Sequence, residues 1–172
     1  MAWANDELVL YHGTDSDQAA RIGRKPAAHG LAIARCRTAT DFGQGFYTTT
    51  SEHQAKQWAN ATRERNLASN AALQAVVLRF AVARDSLAAL DTLVFVVDNP
   101  DYWSLINYCR GGSAPHARTA GAKVEYDVVY GPVALWKQQL VIKDCDQVSF
   151  HTTAALNQLP PPTLHLTGNP SF

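Results

Sequence analysis

The sequence predicts a single α+β domain in which several strands pair antiparallel. Short apolar segments that resemble strands are interspersed with short helical segments, an order typical of α+β proteins. No internal repeat or linker interrupts residues 1–159, which we expect to form the domain. The chain has 172 residues, of which 47% are hydrophobic and 17% charged, so it can bury a core. Residues 160–172 begin with three prolines and predict an extended or disordered tail.

The first third of the chain contains a strand that runs into a glycine turn. Leucine, valine and tyrosine favour a strand, and Gly13 favours the turn that follows it. Asp15 or Ser16 then suits the N-cap of a short helix. The predicted elements are a strand over 8–14, a helix over 17–24 and a short strand over 30–34.

The central stretch, residues 41–50, reads Asp-Phe-Gly-Gln-Gly-Phe-Tyr-Thr-Thr-Thr. Gly43 and Gly45 bracket Gln44, so the backbone can bend tightly there or pass close to a ligand. The aromatic and β-branched residues that follow suit a pleated surface and predict a short strand that includes Tyr47.

A helix is predicted from Ser51 to about residue 67, because Ser51 and Gln54 match a capping box. Trp58 lies on one face of this helix, together with Ala55, Ala59 and Thr62. Tyr47 and Trp58 could then lie side by side and form a slot for a flat, cationic ring. The alternative from spacing alone is that both aromatic side chains pack in a core.

The second half of the chain alternates between strands and helices. Asn99 followed by Pro100 is a typical helix start. The predicted elements are a strand over 73–82, a helix near 86–90, a strand over 93–97, a helix over 99–109, a strand over 126–130 ended by Gly131 and Pro132, a short helix over 133–141, a strand over 147–152 and a helical turn over 153–159.

Charge and composition exclude several classes of protein. Fifteen basic and fifteen acidic residues cancel, so no global field attracts a membrane or a nucleic acid. Residues 18–40 and 102–124 contain bases but no acid, which would allow local binding of an anion. Three widely separated cysteines argue against disulfides and against a structural metal, and we predict no metal site. No signal-type or membrane-spanning segment is evident, which predicts a cytoplasmic protein or one delivered to a target cell without a cleaved signal.

Common enzyme motifs are absent. The chain has no Gly-x-Ser-x-Gly elbow of a hydrolase and no Gly-x-x-x-x-Gly-Lys phosphate loop. Residues 42–46 lack the third glycine of a dinucleotide fingerprint and precede a strand rather than a helix. Three polar residues remain as candidates for chemistry: His12, Tyr47 and Gln147.

Motif order then points to a known family. Residues 10–14 (Leu-Tyr-His-Gly-Thr), residues 42–47 (Phe-Gly-Gln-Gly-Phe-Tyr) and a helix bearing Trp58 resemble the NAD-binding half of the ADP-ribosyltransferase superfamily. The similarity is to its diphtheria-toxin and poly(ADP-ribose) polymerase branch, and most to a small, toxin-like bacterial group. That group shares segments like residues 126–133 and 147–152. The resemblance implies a split, mixed or antiparallel β core with flanking helices.

The resemblance also implies a binding site for NAD as co-substrate. His12 would bind the adenosine ribose, the backbone of Gly13 would hold the nicotinamide amide, and Tyr47 and Trp58 would enclose the nicotinamide ring. Their neighbours Tyr11, Thr14 and Phe46 would complete the cofactor-binding set.

Gln147 occupies the position where the family has a catalytic glutamate. Cleavage of the nicotinamide–ribose bond builds positive charge on the ribose, which a carboxylate stabilises. An amide keeps the hydrogen bond but supplies no charge and no base. Gln147 therefore fits a slow or mono-transferring enzyme, a binding domain without catalysis, or an enzyme that borrows another acid. The candidate acids are Glu125, Asp127, Asp144 and Asp146.

The expected function is mono-ADP-ribosyl transfer to a macromolecular acceptor, either protein or nucleic acid. By resemblance, the protein would act as a bacterial toxin with an antitoxin or immunity protein as partner. The alternatives are an NAD glycohydrolase, in which water is the acceptor, a catalytically silent NAD-binding or partner-binding protein, and a purely structural domain.

Overall fold

The computed structural model describes residues 5–23, 31–112 and 126–172, and it confirms the α+β class. The strands are β1 Leu8–Asp15, β2 Phe46–Thr48, β3 Ala75–Val82, β4 Thr92–Val94, β5 Val128–Leu135, β6 Leu140–Phe150 and β7 Thr163–Thr167. The helices are α1 Ser16–Gly23, α2 Glu52–Asn66, α3 Arg84–Ala88, α4 Pro100–Arg110 and α5 Thr153–Leu156. Short 3-10 turns occupy Ile33–Arg35 and Trp136–Gln138.

Within the predicted domain, the chain divides into two compact units. The described residues of unit one are 5–23, 48–89 and 157–172. Those of unit two are 31–47, 90–112 and 126–156.

Unit one is built on the three-stranded sheet β1-β3-β7, with β3 in the middle. β1 pairs antiparallel with β3 along its whole length, from Leu8 opposite Val82 to Asp15 opposite Ala75. Because β3 is paired on both sides and covered by a helix, its sequence is almost continuously apolar. Helix α2 packs on one face of this sheet through a buried cluster. Its members are Ala55, Ala59, Ala75 and Val77.

Helix α2 begins where the sequence predicted it. The Ser51 hydroxyl accepts a hydrogen bond from the Gln54 backbone N–H at 3.2 Å. The second half of the capping box does not form with Ser51, because the Gln54 amide oxygen accepts from the Thr49 hydroxyl at 3.1 Å. Thr49 in turn accepts from the Ser51 N–H at 3.0 Å, so one hydroxyl replaces the missing contact.

Unit two contains the sheet β2-β6-β5-β4, in which β5 and β6 are antiparallel and β4 runs parallel to β5. Helix α4 has the predicted cap: the Asn99 side chain accepts from the Tyr102 N–H at 2.9 Å, and Pro100 follows. Its apolar face closes the core of the unit. The core consists of Phe42, Phe95, Tyr102, Leu105, Ile106, Cys109, Val129 and Ala134.

Two predicted elements in unit two are wrong. The strand expected over 30–34 is a 3-10 turn at Ile33–Arg35, and residue 30 lies outside the described part. The helix expected over 133–141 is a β-hairpin instead, because β5 continues past Gly131 and Pro132. A register shift between Pro132 and Val133 absorbs the proline, since a bulge needs no N–H from it. Gln139 then turns the chain with a φ of 50°.

The segment beyond residue 159, for which the sequence predicted an extended or disordered tail, belongs to unit one and contains the strand β7. β7 pairs antiparallel with β3, from Thr163 opposite Arg79 to Thr167 opposite Val76. The chain then passes the end of β3, where the Gly168 N–H donates to the Ala75 carbonyl at 2.8 Å.

Truncation after Leu159 should destabilise the protein. It removes an entire edge strand from β3, and each lost backbone hydrogen bond costs about 1 kcal/mol, so the loss should be on the order of several kcal/mol. Urea unfolding measures it. Leu164→Ala is the control, because that side chain is 66% exposed and its removal should change stability by less than about 0.5 kcal/mol. Equal urea midpoints for the truncated and full chains would contradict the assignment of β7.

Candidate functional site

A buried carboxylate, Asp41, organises the polar centre of unit two. Its side chain is only 3% exposed, and four donors meet it. Arg110 donates to Oδ1 from Nε at 2.9 Å and from Nη2 at 2.5 Å. The Ala134 N–H and the Gln147 amide donate to Oδ2 at 2.9 and 2.7 Å. A carboxylate buried without such partners would be strongly destabilising, so this set of donors is required by the fold.

Arg110 reaches Asp41 from the last turn of α4. Its Nη1 also donates to the Ala39 carbonyl at 3.1 Å, and its guanidinium lies 5.9 Å from the centre of the Trp136 ring. These contacts hold the planar guanidinium in one orientation, which a lysine could not reproduce.

Gln147 lies on β6 opposite Gly131 and is 7% exposed. Its Nε2 donates to Asp41 Oδ2 at 2.7 Å and to the Pro132 carbonyl at 2.9 Å. Both amide hydrogens are thereby used, while no donor among the described residues bonds Oε1. Since every fully buried side-chain polar atom in the described part has a partner, Oε1 must be reachable by solvent. Gln147 therefore presents a hydrogen-bond acceptor at the surface of the site.

Tyr47 is held by its hydroxyl group. The hydroxyl accepts from the Phe42 N–H and the Thr40 hydroxyl, each at 2.9 Å, and donates to the Gly43 carbonyl at 2.8 Å. Burial raises the pKa of Tyr47 well above its usual range, so the phenol stays neutral and cannot act as a base. The half-buried ring remains as the surface that a ligand could contact.

The two glycines of the central stretch have different functions. Gly43 bends the loop with a φ of 83°, which favours glycine. Gly45 allows a close approach, because a Cβ there would lie 2.7 Å from His151 Nδ1 and 2.9 Å from the Phe150 carbonyl. The close approach predicted from the sequence is thus made to the protein's own β6. His151 completes the contact, since its Nδ1 lies 2.9 Å from the Gln44 carbonyl.

Four more of the predicted residues lie along β1 in unit one: Tyr11, His12, Gly13 and Thr14. Tyr11 exchanges two backbone hydrogen bonds with Thr49, at 2.8 and 2.9 Å, on the side away from β3. By the alternation of an antiparallel strand, Gly13 directs its N–H and C=O to that same side. No backbone partner of Gly13 on that side appears among the described residues. This glycine therefore offers one donor and one acceptor at a strand edge.

In unit one, the His12 side chain and the helix that carries Trp58 lie on opposite faces of the sheet. A Cβ on Gly13 would lie 1.9 Å from the Ala55 carbonyl, so the Gly13 face of β1 is the one covered by α2. Side chains alternate along a strand, and His12 therefore leaves on the opposite face. Trp58 on α2 is 45% exposed. It therefore does not pack in a core, as the alternative interpretation of the two aromatic residues predicted. Thr14 and Phe46 are buried and leave little side-chain surface for a ligand.

A family model described as a protein of unknown function, DUF3990, matches residues 8–143. The chain belongs to this family. The match includes Gly13, Asp41, Tyr47 and Arg110 of the DUF3990 chain and ends before Gln147. No curated protein matches the chain. No helix within ranges 5–23, 31–112 and 126–172 has the length and apolar character of a membrane span.

The acids predicted to assist Gln147 have other contacts in the DUF3990 chain. Asp127 accepts hydrogen bonds from the Asp91 N–H at 3.0 Å and from the Thr152 hydroxyl. It thereby joins the residue before β4 to the segment after β6. Asp144 and Asp146 line a depression of about 370 Å³ together with Lys143, residues of β5 and β6, and the two residues that follow β4, Phe95 and Val96. Glu125 lies outside the described residues. No group of three potential metal ligands occurs in the described part.

Sequence reasoning missed the acid that does contact Gln147. Asp41 precedes the glycine-rich motif directly, and an acid there is a weak local signal. Its three partners lie 69, 93 and 106 residues away along the chain, separations that no spacing rule covers. Only the pairing of β6 with β5 and the end of α4 bring them together.

Gly45→Ala should destabilise unit two. The new methyl group would overlap His151 and the Phe150 backbone, and relieving such overpacking costs about 1–3 kcal/mol. Urea unfolding followed by tryptophan fluorescence measures the change. Gly23→Ala is the matched control, since a Cβ at Gly23 meets nothing within 4 Å. Equal effects of the two substitutions would refute the close approach of Gly45 to β6.

Proposed function

We propose that this chain is an NAD-dependent mono-ADP-ribosyltransferase. The observation that carries the proposal is the outward N–H and C=O of Gly13 at the edge of β1, which bond to no backbone group among the described residues. A nicotinamide carboxamide has one carbonyl acceptor and an amide donor, so it matches this pair in both hydrogen bonds. The order of the His-Gly and Phe-Gly-x-Gly-x-Tyr motifs along the chain supports the same assignment. An ADP-ribosyltransferase-like split β core is part of this proposal.

Tyr47 would contribute its ring rather than its hydroxyl. The three hydrogen bonds of the hydroxyl leave it no capacity for a ligand, and its raised pKa keeps it neutral. A fixed, electron-rich ring face favours a cationic pyridinium over neutral nicotinamide. This preference would weaken as the nicotinamide leaves with the bonding electrons, so Tyr47 would bind the substrate rather than accelerate bond breaking.

Gln147 would accept a hydrogen bond from a ribose hydroxyl through Oε1. It adds no negative charge near the developing oxocarbenium ion. The carboxylate that contacts it, Asp41, is paired with the Arg110 guanidinium, so its field is largely cancelled. We therefore infer a slow transferase, in which a nucleophile of the acceptor bonds to ribose C1′ and loses its proton. The acceptor would be a protein or a nucleic acid, and an antitoxin or immunity protein would be its regulator.

The same charge pairing favours a second candidate, a protein that binds NAD without cleaving it. A site without a net carboxylate can retain affinity while it loses the electrostatic part of catalysis. NAD binding without nicotinamide release would select this candidate. Release of free ADP-ribose with no modified macromolecule would select the glycohydrolase.

Nicotinamide release from NAD in the presence of cell lysate tests the proposal. Tyr47→Ala should lower the rate at least about 10-fold, because both the ring face and the anchor of the Thr40–Gly43 loop are lost. Tyr47→Phe keeps the ring face and should retain more activity at saturating NAD. His12→Ala should lower the rate as well.

Tyr108→Ala is the control for these variants, because that side chain is 40% exposed on α4 and lies outside the predicted site. Folding of every variant is checked by circular dichroism. Equal release by the wild type, Tyr47→Ala and His12→Ala would refute the site assignment, and failure of the wild type to bind NAD would refute the proposed function.

A further inference from the structure

We propose that the Asp41–Arg110 pair is a positioning device that fixes the Gln147 amide with its oxygen outward. The site then takes a neutral hydroxyl donor at this point and disfavours a carboxylate at position 147. The inference rests on the proposed function only for the identity of the hydroxyl-bearing ligand, a ribose.

Arg110 fixes the position of the Asp41 carboxylate. Arg110 bonds Oδ1 twice, which leaves Oδ2 directed at the Ala134 N–H and at Gln147. The second contact of Arg110, with the Ala39 carbonyl, prevents the guanidinium from turning away. The carboxylate is thereby held as an acceptor at a constant place.

Two acceptors determine the orientation of the Gln147 amide. Nε2 lies 2.7 Å from Asp41 Oδ2 and 2.9 Å from the Pro132 carbonyl. If the amide turned over, Oε1 would face two acceptors at these distances, and both hydrogen bonds would become repulsions. Gln147 therefore has one favoured orientation, in which Oε1 is the group exposed to the site.

The exposed Oε1 of Gln147 determines which class of ligand can bind. A lone carbonyl oxygen accepts a hydrogen bond and cannot donate one. It suits the hydroxyl group of a sugar, whereas phosphate and carboxylate groups, which only accept when ionised, would be repelled. A diol such as ribose fits this requirement.

The contact with Asp41 requires an amide, rather than a carboxylate, at position 147. A glutamate at position 147 would put a second carboxylate about 2.7 Å from Asp41 Oδ2 and near the Pro132 carbonyl. Two anions at such a distance in a buried place cannot both ionise, so the pKa of one is raised. Glutamine is thus the residue that this network accommodates.

The titratable groups around Asp41 do not alter the expected repulsion between Asp41 and a carboxylate at position 147. Burial raises the pKa values of Tyr47, Tyr102 and Cys109, the last to about 12. These groups stay neutral between pH 5 and 8. Asp146, the neighbour of Gln147 on β6, lies opposite Pro132.

Urea unfolding of Gln147→Glu tests the positioning without any ligand. At pH 7.5 we expect the urea midpoint to fall by about 1 M or more, because the two carboxylates repel. The folded-state pKa of this pair is raised above the unfolded value, so the loss is largest at high pH and shrinks as the pH falls towards 5. Gln147→Met is the control: it loses the same hydrogen bonds without adding charge, and its deficit should not depend on pH in this range.

The double variant Asp41→Asn/Gln147→Glu moves the negative charge from position 41 to 147. It should recover part of the midpoint lost at pH 7.5, since the new amide at position 41 can donate a hydrogen bond to the new carboxylate at position 147. Gln147→Glu with a wild-type midpoint at pH 7.5, or with a deficit independent of pH, would overturn the positioning role.

Calorimetric binding of NAD and of its analogue lacking the 2′-hydroxyl of the nicotinamide ribose tests the ligand class. The wild type should bind NAD at least about 10-fold more tightly than the analogue, and Gln147→Met should remove this preference. Equal discrimination by both proteins would overturn the hydroxyl assignment. If the wild type binds neither compound, the proposed function fails, while the urea experiment still decides the role of Asp41.

Discussion

Burial of one negative charge constrains unit two more than any other feature. A carboxylate can be buried at low cost only if its oxygens receive hydrogen-bond donors, and Asp41, which is 3% exposed, receives them from several elements. The donors come from the end of α4, from β5 and from β6, so the loop before β2 is joined to three separate elements by a single side chain. The neighbouring Phe42 packs against Phe95 and Tyr102, which also holds that loop in place. The hydrogen bonds of Asp41 and the core packing of Phe42 therefore fix the same stretch of backbone, the loop before β2.

This arrangement explains why the motif that resembles a nucleotide-binding signature is also structural. Within six consecutive residues, one side chain pairs with Arg110, one enters the core, and two glycines provide a bend and a close contact. The Tyr47 hydroxyl closes the loop onto its own start. A ligand would thus meet a ring and an amide oxygen that are already immobile, and little ordering entropy would oppose its binding.

Local signals predicted much of this fold. Caps at Ser51 and Asn99 predicted α2 and α4 because a side-chain oxygen and a nearby N–H define a helix start within four residues. β1 and β3 followed from runs of apolar residues. The β5–β6 hairpin did not, since Pro132 normally ends a strand and only the bulge beside it permits continuation. The hydrogen bonds of Asp41 could not be predicted either, because they join residues that are 69, 93 and 106 positions apart. The sequence did not predict β7, because the three prolines before it favour an unpaired chain, while the five residues after them form a strand.

The middle position of β3 has a consequence for how the protein folds. Its partners come from distant parts of the chain, β1 from residues 8–15 and β7 from residues 163–167. Each pairing closes a long loop before it gains any contact energy, so the sheet of unit one has a high contact order. Chains of this topology acquire their native structure slowly compared with helical bundles. During that interval β3, the most apolar strand of the unit, has both edges open to other chains, and refolding yield should therefore depend on protein concentration.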